Sequence, residues 1–245
     1  MVKSMDTLLV EQGFVFSQVD SSTLDFSNES ELNVEFLKKI LNESNCRHEW
    51  QGRLLTVEDI LWEETEWLTR CAVGGRGRTE MCGYFDEENS VSLEMLDLYI
   101  SGLVRRLNRL GCMTIMSCDG EGDGRPNIVF ATVADMERAA LLMAEVGLKH
   151  RVNTARKTLV ILKEREEILG VASLLNGLPE KLNAISTENI ERVVFEKVVE
   201  ELLEIPGVSG YESVIRNHVI KKLAKLTDEM TVDDYGNILA EVTFG

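Results

Sequence analysis

No apolar run in this chain approaches the ~20 residues that a membrane-spanning helix needs. Residues 1–10 also lack the basic start and long apolar core of a secretory signal. The expectation is a cytoplasmic protein with no membrane partner. Cysteine is scarce: Cys46, Cys71, Cys82, Cys112 and Cys118 are too few, and odd in number, for a disulfide framework, which suits a reducing compartment. Cys112 and Cys118 stand six apart, too far for a zinc knuckle, and Cys46-Arg47-His48 has no partner pair at zinc spacing. Positive charge is also short. Lys and Arg total 26 against 42 Asp and Glu, a net charge of −16, so the overall field repels a nucleic-acid polyanion and nucleic acid is not an expected partner. Gly-x-Ser-x-Gly elbows and His-Glu-x-x-His helices are missing, and with them two common routes to hydrolysis.

The remaining text reads as a globular α+β chain. The first thirty residues alternate weakly, with Leu8-Leu9-Val10 and Phe14-Val15-Phe16 placed as a hairpin around Gly13 or as a loosely held arm. A helical pattern begins at Asn33 with Val34, Leu37, Ile40 and Leu41. Thr56 and Asp59 are spaced as a capping box that would open a second helix through Trp67, with Trp62 and Trp67 expected in the core. Ser92 is placed to cap one long helix over residues 93–110, ended by Gly111. Strands are expected at residues 112–116, 127–133 and 158–162, a helix from Ala134 or Asp135 to Gly147, and a last helix from Glu164 to Asn176-Gly177. Helix–strand–strand–helix–strand–helix implies helices packed on one face of a small antiparallel or mixed sheet. The division expected is 1–90 helical and irregular, 91–185 an α+β domain, and 186–245 a linker helix with a terminal segment.

Two loops have the composition of binding sites. Residues 73–83 are glycine-rich and carry Arg76 and Arg78, whose guanidinium groups suit a phosphate or carboxylate, although a plain connector has the same composition. No Gly-Lys-Ser/Thr follows, so the loop is not of the Walker type. Residues 117–126 set Asp119, Glu121 and Asp123 between glycines, so that their carboxylates can converge on a Mg²⁺ or Ca²⁺ ion. An EF-hand is excluded because its twelfth position, where glutamate belongs, is Phe130. The same loop reads equally as a tight polar turn, or as a small-ligand loop using Cys118, Asp119 and Arg125.

The C-terminal segment is the most specific text. Pro206-Gly207 is a turn signal, Ser209 and Glu212 are spaced as a capping box, and Ile215, Val219, Leu223 and Leu226 form one stripe expected to be buried. Asp233-Asp234-Tyr235-Gly236-Asn237 then joins two short strands as a hairpin. The ordered string with Pro206, Gly207, Ser209, Gly210 and Glu212, then a helix, then Asp233, Gly236 and Asn237, resembles the opening of dinuclear-zinc aminopeptidases of the glutamyl- and deblocking-aminopeptidase type. The likeness covers about residues 195–245. It implies an accessory domain followed by the start of a zinc-dependent hydrolase acting on peptides. In that family the matched residues build structure, and the zinc-binding His, Asp and Glu lie further downstream, so no catalytic or metal residue is carried onto this chain. The alternative is a non-catalytic regulatory or small-ligand-binding protein with a peptidase-like tail. A short hairpin is marginal alone, so its edge is an expected site of homo-oligomer formation or of mobility.

Overall fold

A computed structural model of the chain describes residues 1–44, 46–58, 61–72, 92–121, 124–178, 192, 195–196, 199–200, 202–205, 212–223, 227 and 229–241. The chain divides into two compact units, Met1–Ile185 and Ser186–Gly245. The fold is α+β, and every paired strand among the described residues is antiparallel.

The first unit opens with strand β1 (Val2–Ser4) and helix α1 (Met5–Gln12). Here the sequence reading is corrected: residues 8–10 are helical, not one arm of a hairpin. Met5, Leu8, Leu9 and Gln12 are buried, the one-face spacing of a helix. Gly13 ends it at φ 90°, where its N–H reaches Val10 O at 3.0 Å and the Phe14 N–H reaches Leu9 O at 2.9 Å. Left-handed backbone of this kind favours glycine.

Strands β2 (Ser17–Gln18), β3 (Thr23–Asp25), β4 (His48–Gln51) and β5 (Leu54–Val57) form a sheet in the order β2-β3-β5-β4 beside helix α2 (Glu31–Asn42). Ser30 caps α2 by accepting the Asn33 N–H at 3.3 Å. Thr56 opens no helix. It lies in β5, where Leu55 and Val57 are buried and their neighbours exposed, and it pairs across the sheet with Thr23. A period of two outweighs a chance capping spacing. Strand β6 (Leu61–Glu63) pairs with β1, and helix α3 (Glu64–Cys71) follows. Trp62 and Trp67 are both buried and meet edge to face, ring centres 5.7 Å apart.

The expected long helix over 93–110 is broken. A 3₁₀ turn at Leu93–Met95 and a bend through Asp97 precede helix α4 (Ser101–Arg109). Strands β7 (Thr114–Cys118) and β8 (Asn127–Phe130), helix α5 (Val133–Glu145), strands β9 (His150–Asn153) and β10 (Thr158–Ile161), a 3₁₀ turn at Arg165–Ile168 and helix α6 (Leu169–Asn176) complete the unit. Their sheet runs β7-β8-β10-β9. Strand β9 was not anticipated. It is an edge strand whose residues are largely exposed, so it carries no apolar alternation. Helix α5 starts in a full capping box, Thr132 with Asp135, and packs Met136, Ala139, Leu142 and Met143 toward a core that also holds Ile128, Phe130, Leu159 and Ile161. Helices α1, α4 and α6 pack on one another.

In the second unit a helix spans Ser213–Leu223, and β11 (Met230–Val232) pairs with β12 (Ile238–Ala240). The hairpin is as expected; the buried stripe is not. Ile215, Val219 and Leu223 are only half-buried, Leu226 lies outside the described residues, and no described side chain of this unit is fully buried. Asp233 holds the turn by accepting the N–H groups of Tyr235 at 2.9 Å and Asn237 at 2.8 Å, and Gly236 sits at φ 85°. The side-chain and backbone N–H groups of Asn237 draw the Asp233 carboxyl below its ordinary value.

Candidate functional site

Asp119 is the first residue after β7, and folding buries it completely. Its backbone N–H donates to Asp97 Oδ2 at 3.0 Å, and its Oδ2 accepts from Arg165 Nη2 at 3.1 Å and from the Tyr99 N–H at 3.4 Å. The bend between the Leu93 turn and α4 delivers Asp97 and Tyr99. The 3₁₀ turn before α6 delivers Arg165. The Arg165 guanidinium lies over the Tyr99 ring, 4.5 Å from its centre, a cation–π contact that fixes its plane.

Each of these side chains keeps an unused polar atom. Asp97 Oδ1, Asp119 Oδ1 and Arg165 Nε are buried with no hydrogen-bond partner, although Asp97 is only 4% exposed and Asp119 0%. Burial raises both carboxyls above their ordinary value. For Asp97 the Asp119 N–H opposes this, while the negative charges of Asp119 and Glu121 add to it. For Asp119 the Arg165 guanidinium is the chief opposing influence.

The raised pKa values set a sign. The folded state holds these protons more tightly than the unfolded chain, so that contribution to stability is complete below the unfolded carboxylate pKa of ~3.9. It is lost as pH rises through the higher folded pKa values. The cost of burying the two charges therefore grows as the pH rises through those folded values. Asp97→Asn keeps an acceptor for the Asp119 N–H and removes one charge. The expected result is stabilisation by about 1 kcal/mol, a rise in Tm of about 2–4 °C at pH 7, shrinking as the pH is lowered into the acid range. A melting series across pH checks both parts; a lower Tm at pH 7 would show that the charge is held by contacts worth more than its burial.

The sequence-predicted residues fare unevenly. Cys118 is half-buried, and its sulfur accepts the Gly120 N–H at 3.4 Å. Glu121 is exposed and acts on the pair through its charge. Arg125 is exposed, with its carbonyl taken by the Asn127 side-chain amide, and its side chain makes no hydrogen bond or ion pair with Asp119. Gly120 turns the loop at φ 84°, where a Cβ would lie 2.8 Å from Pro126. Arg76, Arg78, Asp123, Pro206, Gly207, Ser209 and Gly210 lie outside the described residues. Glu212 precedes the Ser213–Leu223 helix and its carbonyl accepts the Arg216 N–H at 2.9 Å. Sequence reasoning missed Asp97, Tyr99 and Arg165; the one signal was an acid inside the apolar run Leu96-Asp97-Leu98.

Among the described residues no group of three or more His, Cys, Asp or Glu side chains is arranged to hold a metal ion. Among the described residues the zinc of the family that the C-terminal segment resembles finds no ligand set. Nor is any helix among the described residues long and apolar enough to cross a membrane. No protein-family model, curated protein or solved structure matches this chain. The described residues thus define an α+β protein in which a part-exposed arginine meets one of two neighbouring buried carboxyls.

Proposed function

We propose that Met1–Ile185 is a non-catalytic accessory module that binds a small polar ligand at Asp97, Asp119 and Arg165. The supporting observation is the set of three buried polar atoms without partners. Native interiors seldom leave such atoms unpaired, because each costs roughly 1–3 kcal/mol. Two acceptors and a donor in contact residues suit a molecule that satisfies them. The test is a melting screen of the full chain against classes of small polar compounds, namely amines, carboxylates, amino acids and divalent cations. A ligand at a hundred times its Kd contributes about 2.7 kcal/mol, and Asp119→Asn abolishes that shift. A screen in which no class moves Tm sinks the reading.

A second reading concerns Ser186–Gly245 and has its own support. The helix Ser213–Leu223 followed by a hairpin turning on Asp233, Gly236 and Asn237 follows the order of the aminopeptidase opening. Val214, Val232 and Leu239 are exposed, apolar surface that suits a larger sheet. On this reading the module regulates a zinc aminopeptidase-like hydrolase acting on peptides, and the present residues perform no step of hydrolysis. Intact mass from the natural source, read beside the coding DNA, decides it. A product larger than 27.6 kDa with His-x-Asp downstream supports the peptidase. A product of that mass leaves the hairpin edge as a homo-oligomer contact, seen as amide protection that grows with protein concentration.

A further inference from the structure

Strand β9 ends the sheet β7-β8-β10-β9, and its outer side has no partner strand among the described residues. The ladder shows which backbone groups it leaves over. The Leu162 N–H donates to Lys149 O at 2.9 Å, one step beyond the pairs Ile161 with His150 and Val160 with Arg151. Bonded residues alternate along an antiparallel ladder, so Lys149, Arg151 and Asn153 bond inward to β10. The other flank of β10 agrees: the Ile161 N–H donates to Pro126 O and Lys157 O accepts the Phe130 N–H, both toward β8. His150 and Val152 therefore turn their backbone N–H and C=O outward. The opposite edge, β7, has an irregular register between Thr114 and Met116, a common guard against strand addition. Strand β9 pairs regularly along its whole length.

Charge sets this edge apart from the rest of an acidic chain. Between Glu145 and Glu164 the sequence has no carboxylate, yet it has Lys149, Arg151, Arg156, Lys157 and Lys163. Elsewhere Lys3, Lys38, Arg53 and Arg105 each sit on a carboxylate. Lys149, Arg151 and Arg156 are exposed, and none has a carboxylate partner among the described residues. Successive side chains of a strand take opposite faces. Val152 pairs with buried Leu159 on the core face but is itself 51% exposed, while Lys149 and Arg151 take the other face. We infer that β9 is a docking edge for an extended acidic segment of a partner protein. That segment adds to the sheet as a further strand, with carboxylates opposite Lys149 and Arg151 and apolar residues opposite His150 and Val152. Main-chain bonds supply affinity and alternate side chains supply specificity. The same cations turn away a second copy of this edge, because like charges would then lie opposite each other. The net charge of −16 does not forbid the contact, since charge more than ~8 Å away is largely screened at physiological salt.

The experiment is fluorescence anisotropy of the full chain at physiological salt with a labelled, end-blocked hexapeptide, Thr-Val-Glu-Val-Glu-Thr. Three labelled controls accompany it: the peptide with lysine for glutamate, the acidic peptide N-methylated at both valines, whose amides face β9, and an oligothymidylate. The acidic peptide is expected to bind, and each control to bind about tenfold more weakly or worse. Arg151→Glu weakens binding of the acidic peptide about tenfold, since a like charge then faces its glutamates. Lys221→Glu, at an exposed lysine of the other unit, leaves it unchanged. Val152→Pro removes an outward N–H that β10 does not use, and abolishes binding. Circular dichroism establishes that each variant is folded, and the N-methylated peptide makes the same cut without altering the protein. Lysine or N-methylated peptide binding as tightly as the acidic one overturns the proposal. So does binding indifferent to Arg151→Glu, or none at millimolar peptide. Oligothymidylate binding as tightly as the acidic peptide assigns the cations to polyanions at large and overturns it too.

Discussion

Arg105→Ala is expected to cost about 3–5 kcal/mol, because it leaves a buried carboxylate without its counter-charge. Arg105 Nη2 lies 2.9 Å from both Glu29 oxygens, with side-chain exposures of 6% and 0%. Burial lowers the Arg105 pKa and the Glu29 charge acts against it, but an arginine remains protonated. The pair is also a junction. Arg105 Nε donates to Gly13 O at 3.1 Å, and Glu29 accepts from the Val15 N–H at 2.8 Å, the Ser30 N–H at 2.8 Å and Asn33 Nδ2 at 3.0 Å. The exit of α1, the start of α2 and the middle of α4 are thereby tied at one carboxylate. Against a typical domain stability of about 5–15 kcal/mol, the loss removes a large share of the margin and lowers Tm. Urea unfolding followed by circular dichroism measures it. Arg105→Met with Glu29→Gln should lose much less than Arg105→Ala alone, since neither variant side chain is charged. A single-variant loss below about 1 kcal/mol would mean that water reaches Glu29.

Gly102→Ala carries the second large effect, and its sign is the point. Helix propensity alone would favour alanine by about 1 kcal/mol. At this position a Cβ would stand 2.2 Å from Glu11 O, 2.7 Å from Glu11 C and 2.9 Å from the Ala172 Cβ. The obstruction is the backbone of α1, which cannot swing aside as a side chain can. Helix α1 must move away from α4, and the expected loss is about 2–3 kcal/mol. Gly170→Ala is the control. It lies in α6 with nothing within 4 Å of the added carbon, so about 0.5–1 kcal/mol of stabilisation is expected. Paired melting curves that move in opposite directions confirm the close approach. Two curves moving upward together would refute it.

Where the sequence was legible, local and tertiary signals agreed. Helix α2 has a serine cap and one apolar face, α5 has a cap with apolar residues at helical spacing, and the hairpin 230–240 has Asp233, Gly236 and Asn237 where its turn needs them. Helix α1 was not legible because Ser4 makes no capping bond and Leu8-Leu9-Val10 fits either period. The helix expected over 93–110 hid its break because Leu96, Leu98 and Ile100 are buried in the bend as they would be in a helix. At the site, Asp119 was visible as a carboxylate in glycine-rich text. Its partners were not, because Asp97 is 22 residues before it and Arg165 is 46 after, and only sheet formation brings the three together. Arg125, near in sequence, has no part in the cluster.

The packing of α1 against α4 and α6 has a consequence for synthesis. Helix α1 is complete at Gln12, but α6 ends at Asn176, roughly 160 residues later. A ribosome adding about 5–20 residues each second needs on the order of ten to thirty seconds to supply that partner. Through this interval Leu8 and Leu9, which are sealed in the finished protein, have no α6 to cover them. For much of translation these apolar side chains therefore stay uncovered, where chaperones would meet them before the fold closes.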